Sequence, residues 1–125
     1  MTWSILLAED DRFLRRACET KLRQAGFDVR VAVDGEEALT LARQQPPDLL
    51  LLDLLMPKLN GLLVLDALKA DEATRDIRVV ILSNSSKELE MQDATRIGAL
   101  DYWIKSNLSL EELCNRVRQL LGESS

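Results

Sequence analysis

Four apolar runs in this sequence end in residues that could do chemistry together. Leu49-Leu50-Leu51-Leu52 is closed by Asp53, and Ile5-Leu6-Leu7-Ala8 is followed by Glu9-Asp10-Asp11. Val79-Val80-Ile81-Leu82 leads into Ser83, and the run ending at Ile104 leads into Lys105. Burying a bare carboxylate is costly unless a cation or hydrogen-bond donors compensate it, so Asp53 is expected to emerge at the carboxyl end of a buried strand. If all four runs are parallel strands of one sheet, their ends share one edge, where ligands gather in open α/β folds. Clustered carboxylates repel one another and raise each other's pKa. A hard divalent cation, most simply Mg²⁺, relieves that repulsion through carboxylates, carbonyls and water. Lys105 adds a positive charge and Ser83 a hydroxyl donor. The chemistry implied is a carboxylate nucleophile beside a pocket for a dianion, which is a phosphoryl-acceptor site.

Each residue also has a plainer reading. Asp53 alone reads as a strand end or helix cap. Glu9 to Asp11 alone read as the acidic first turn of a helix, stabilised by its dipole by about 0.3–1 kcal/mol. Ser83 alone reads as a helix-approach residue and Lys105 as a solvated surface lysine. The group outweighs these readings because its members fall at successive strand ends.

Strands and helices alternate five times along the chain. After Ile5–Ala8 a helix runs to about Ala25, with Leu14, Cys18 and Leu22 at helical spacing and Gly26 as its stop. Val29, Val31 and Val33 suggest a second strand whose alternation fits an outer position. Asp34 and Glu37 form a capping-box pattern before Ala38, Leu39, Leu41 and Ala42, and Pro46-Pro47 prevents continuation. Past Asp53, Pro57 and Gly61 shape a loop before a helix carrying Leu62, Leu65 and Leu68, and Asp71 to Asp76 is a polar connector. Ser85 and Glu88 suggest a cap for a weakly amphipathic fourth helix through Met91, Ala94 and Ile97, ended by Gly98. Weak amphipathicity makes that helix a candidate for mobility. Leu100 to Ile104 is the fifth strand, and Ser109 with Glu112 boxes a last helix that turns Leu113, Cys114, Val117, Leu120 and Leu121 inward. This is an α/β pattern, a doubly wound five-stranded parallel sheet with right-handed crossovers. One domain over residues 1–125 is expected, closing in a short tail, 122–125, with no second domain.

Composition narrows the function. The net charge of -5 argues against direct binding to nucleic acid or anionic membrane. No apolar stretch is long enough to span a bilayer, and the first residues lack the basic region of a signal peptide. Cys18 and Cys114 have no metal-ligand spacing and read as reduced core thiols, so a cytoplasmic setting is expected. The sequence has no histidine, which removes histidine catalysis and requires that any phosphohistidine come from a partner.

Glu9-Asp10, Asp53, Ser83 and Lys105 in this order, with Asp53-Leu54-Leu55-Met56-Pro57 and Gly61 after the acceptor, resemble the receiver domain of two-component response regulators, typified by the single-domain chemotaxis regulator. The resemblance covers essentially the whole chain and implies a flavodoxin-like sheet of order 2-1-3-4-5. It implies that Asp53 is the phosphorylated aspartate and that Mg²⁺ is held by Asp10, by Glu9 through water, by Asp53 and by the main-chain oxygen of Leu55. It implies Ser83 as the switch hydroxyl, Lys105 as the phosphate-pairing lysine, Tyr102 as an aromatic switch and Asp11 as a tuning acid. The implied partners are a histidine kinase or histidine phosphotransfer protein and a downstream protein target, with homodimerisation left open. The implied role is a signalling phosphoacceptor that catalyses only its own phosphorylation and dephosphorylation.

Three positions depart from the family pattern. Ser106 replaces the usual proline after Lys105, which favours a trans bond there. Asn84 replaces a very small residue and is expected to narrow access. Leu55 replaces a polar residue two past Asp53 and is expected to slow loss of the phosphoryl group. A pseudo-receiver that binds partners without phosphate is the first rival. An aspartate-nucleophile phosphohydrolase is the second, opposed because Leu55 cannot serve as its general acid. Flavin or dinucleotide binding is opposed by acids in place of a glycine-rich loop after the first strand.

Overall fold

The computed structural model describes residues 2–122. β1 (Ser4–Ala8), β2 (Asp28–Ala32), β3 (Leu49–Asp53), β4 (Arg78–Ser83) and β5 (Asp101–Ile104) alternate with α1 (Arg12–Gln24), α2 (Gly35–Gln44), α3 (Gly61–Ala70), α4 (Glu88–Ile97) and α5 (Leu110–Leu120). The strands form one sheet of order β2-β1-β3-β4-β5, and every neighbouring pair is parallel. β3 lies at the centre and all five of its residues are buried. Its side chains alternate between the two faces, as a pleated strand requires. Leu50 and Leu52 pack with Ala38, Ala42, Leu65, Leu68 and Ala94 of α2, α3 and α4. Leu49 and Leu51 pack with Cys18, Leu22, Leu113, Cys114 and Val117 of α1 and α5. A leucine run is therefore what a strand covered on both sides calls for, each side chain contributing about 1.5–3 kcal/mol on burial. The expected buried cysteines are both found there.

The helix ends explain where elements begin. Ser109 and Glu112 form the full capping box expected at α5. Asp34 caps α2 through the Glu37 N–H at 2.8 Å, but the Glu37 carboxylate reaches back to Val33 N instead of Asp34 N. Val33, tied to Glu37, lies outside β2 and is 40% exposed, so the second strand ends one residue earlier than its valine alternation suggests. The fifth strand likewise begins at Asp101, although Leu100 N still donates to Val79 O at 2.7 Å. Ser85 does not cap α4, contrary to the sequence expectation. Its Oγ accepts from Lys87 N at 3.2 Å in a tight local turn, and the helix starts after Lys87 with no side-chain cap. α4 buries only Ala94 and ends at Gly98, whose φ of 129° a side chain would strain. Residues 123–125 of the expected tail lie outside the described residues.

Candidate functional site

Strand register delivers the reactive side chains to one edge. Ala8 is level with Leu52, Asp53 with Leu82, and Ser83 with Ile104, so Glu9, Asp53, Ser83 and Lys105 leave adjacent strand ends. Lys105 Nζ lies 2.6 Å from Glu9 Oε1 and 3.1 Å from Asp53 Oδ2. Glu9 is 1% exposed and Asp53 4%, so both carboxylates have lost nearly all their water. Oxygens of Glu9, exposed Asp10 and Asp53 lie within 4.8 Å of one another.

The electrostatics follow from that packing. Burial, then the neighbouring Glu9, pushes the Asp53 carboxyl up to about 7, against the downward pull of Lys105. Burial by itself would lower the Lys105 pKa, but the pair of acids outweighs it and raises the ammonium above its ordinary value. Three carboxylates facing one ammonium leave an excess of two negative charges when all are ionised. Glu9 Oε1 has no further partner among the described residues. A hard oxygen-seeking divalent cation suits this donor set, so the residues fit Mg²⁺.

The other expected positions fall around this centre. Leu55 follows β3 directly: its N–H donates to Asp53 Oδ1 at 3.3 Å and its side chain is 70% exposed. Buried Ser83 accepts from Ser85 N through Oγ at 3.0 Å, and the half-buried Tyr102 donates its hydroxyl to Ser85 O at 2.9 Å. Ser83 and Tyr102 thus hold the same residue of the β4–α4 loop from opposite sides. Asn84 sits exposed beside them. Asp11 stands apart from the three-acid cluster; its Oδ1 accepts from Phe13 N and Leu14 N as the cap of α1. The Lys105–Ser106 bond is trans, in keeping with the serine. Trp103 lies on the opposite face from Tyr102, under α5, with the Arg116 guanidinium 5.6 Å from its ring centre.

Gly61, expected to shape the loop after the acceptor, donates its N–H to Leu54 O at 2.8 Å, and a Cβ there would lie 2.5 Å from Asp53 O, so only glycine lets the loop close over the acceptor's own backbone. Sequence reading passed over several other supports. Asn60 caps α3 through Leu63 N, and Lys58, at φ 68°, reaches Asp34 at 3.5 Å. Arg15 donates from Nη1 to the carbonyls of Glu9 and Asp10 at 3.0 and 3.3 Å. The asparagine cap was recognisable in the sequence; the carbonyl contacts depend on loop geometry that no residue pattern encodes.

Known proteins share this arrangement. The response regulator receiver domain matches residues 5–118. The DNA-binding dual master transcriptional regulator RpaA of Synechocystis is 39% identical over 117 residues, 94% of this chain and 48% of that protein. The chain spans about half the length of the curated relatives it matches. The receiver domain of the Francisella response regulator 1452 superposes with a TM-score of 0.88 at 31% identity, covering 97% of this chain and 98% of that one. A CheX–CheY–BeF3–Mg²⁺ complex from Borrelia burgdorferi superposes with a TM-score of 0.86 at 25% identity, covering 95% and 89%. Among the described residues no helix is long and apolar enough to cross a membrane. With its sheet order, strand-end acids and lysine all in register, the chain belongs to the response regulator receiver domain family of two-component signalling.

Proposed function

We propose that Asp53 accepts a phosphoryl group from a phosphohistidine on a partner kinase or phosphotransfer protein. The observation that carries this reading is the buried Asp53 held 3.1 Å from Lys105 beside Glu9 and Asp10. A carboxylate oxygen of Asp53 forms the new O–P bond as the P–N bond to the donor imidazole breaks, and the imidazole departs with the electron pair and takes up a proton. Lys105 neutralises a phosphoryl oxygen during transfer. Asp10, Glu9, Asp53 and the main-chain oxygen of Leu55 would hold Mg²⁺, which when bound offsets charge on the transferring group. The likeness to a CheY captured with BeF3 and Mg²⁺ supports this assignment.

Acceptance then biases the β4–α4 loop. Ser83 Oγ, now occupied by Ser85 N, turns to donate to a phosphoryl oxygen and releases that N–H. Because Ser85 O holds the Tyr102 hydroxyl, the change reaches β5 and the face of α4, β5 and α5, where a downstream protein binds. Asn84 and Leu55 tune access and the lifetime of the acyl phosphate. Leu55→Asn should change that lifetime, read as decay of the phosphorylated form.

The test is mass spectrometry after acetyl phosphate treatment with and without Mg²⁺. Wild type should gain one phosphoryl group in a Mg²⁺-dependent manner and Asp53→Asn none. Absence of an Asp53-dependent gain would leave a phosphate-independent binding module; sustained phosphomonoester turnover would point to a hydrolase.

A further inference from the structure

We propose that Arg15 is a positioning residue for the cation site. This rests on the reading of Glu9, Asp10 and Asp53 as ligands. One nitrogen of the guanidinium, Nη1, donates to two consecutive carbonyls, Glu9 O at 3.0 Å and Asp10 O at 3.3 Å. Fixing both carbonyls orients the two peptide planes that flank Asp10, and so the direction in which its side chain leaves the backbone. The clamp stands on a firm base. Asp11 caps α1, Arg15 N donates to Asp11 O at 2.9 Å, and the arginine stem is half-buried one turn into the helix.

The two acids differ in how much they need this help. Glu9 is held independently: its N–H donates to Ala32 O at 3.1 Å, its Oε2 accepts from Asp11 N at 3.1 Å, and its Oε1 meets Lys105. The exposed Asp10 carboxylate takes no bond from another described residue. Its orientation toward Glu9 and Asp53 therefore depends on the backbone, and the backbone there is held from α1 by Arg15. Arginine suits the task because the two N–H bonds of Nη1 are held in the guanidinium plane and so keep fixed directions, whereas a lysine ammonium rotates at the end of a flexible stem.

Charge and positioning predict opposite signs, which makes the assignment testable. A cation beside a cation site is electrostatically adverse, so if only charge mattered, removing Arg15 would tighten Mg²⁺ binding. If Arg15 positions ligands, removing it weakens binding, by roughly the 10–100-fold typical of groups that orient metal ligands. Calorimetric titration of Mg²⁺ into wild type, Arg15→Ala, Arg15→Lys and Arg16→Ala reads this directly. Arg16 is an exposed neighbour on the same helix and controls for charge. The expected result is about tenfold weaker binding in Arg15→Ala, a smaller loss in Arg15→Lys, and unchanged or slightly tighter binding in Arg16→Ala. Thermal unfolding in chelator confirms that each variant is folded, and if Arg15→Ala is not, Arg15→Gln takes its place. Unchanged or tighter binding without Arg15, or equal weakening by Arg16→Ala, overturns the assignment. A wild type that takes up no Mg²⁺ overturns the site reading as well, so the two failures are distinct.

Discussion

α1 and α4 both leave strand ends at the site, yet they are held very differently. α1 is capped by Asp11, buries Cys18 and Leu22, and ties its last turn to β2 through Arg23 Nη2 on Val29 O at 2.7 Å. α4 has no side-chain cap, buries only Ala94, leaves Leu89 75% exposed, and carries a buried Glu90 oxygen with no partner among the described residues. Its firm end is the far one, where Gly98 rests near the Lys69 stem and Lys69 Nζ donates to Arg75 O and Ile77 O. The contrast separates two jobs. The acids that gather charge stand at strand ends beside the well-anchored α1, and the proposed read-out face includes the loosely held α4. Few buried contacts mean a low free energy of local opening.

The largest effect should come from the anchored side. Leu22→Ala removes a fully buried side chain of α1 and should cost about 2–5 kcal/mol. Leu89→Ala on α4 should stay within about 0.5 kcal/mol. Urea denaturation measures both, and similar losses at the two positions would erase the contrast.

Next in size is the charge at the centre. The Asp53 carboxyl sits at about 7 in the folded chain against an ordinary value of 3.8. The native state therefore binds this proton more tightly than the unfolded chain, so the associated stability is present in full below the ordinary value and is lost as pH rises through the folded one. In chelator, wild type should lose stability relative to Asp53→Asn across that window, because asparagine has no proton to lose. A constant difference between the two across the window would show that Asp53 is not desolvated as its packing implies. Mg²⁺ should restore the wild type.

Thiol exchange gives a finer comparison. Burial raises the Cys18 thiol to about 11, and its packing against Leu22 and β3 leaves global unfolding as its route to a reagent. A cysteine placed at Ala94, in a background lacking Cys18 and Cys114, should be labelled faster through local opening of α4. Equal rates for the two positions, both matching global unfolding, would mean that α4 opens only with the whole domain.

Where sequence reading succeeded, one local pattern had one physical solution. A leucine run with acids or a lysine after it can be a two-sided strand with its polar residue at the open edge. Ser109 with Glu112 before an apolar helical stripe had no competitor either. It fell short where two local solutions compete. Ser85 had Glu88 three residues on, the same pattern, but its hydroxyl bonds Lys87 N two residues on instead, and the helix starts late. Glu37 had a choice of two N–H groups and took Val33's. Arg15 was invisible for another reason: its partners are carbonyls, which carry no sequence label.

The smallest expected effect tests why α4 is loose. Lys87 occupies the cap position in extended backbone with φ -64° and ψ 123°, a conformation from which a short acidic side chain can reach the first free N–H groups. Lys87→Asp should therefore add about 0.5–1 kcal/mol, a cap and a favourable helix-dipole charge together. With so few buried contacts α4 should exchange its amides through local opening, so the same substitution should slow amide hydrogen exchange across Glu88–Ile97 while leaving α1 unchanged. A gain in global stability with no slowing in α4 would place the looseness elsewhere, in the unpartnered Glu90 oxygen on its inner face. Glu90→Gln would then be the variant that tightens the helix, since an amide is less costly than a carboxylate to leave buried and unpaired.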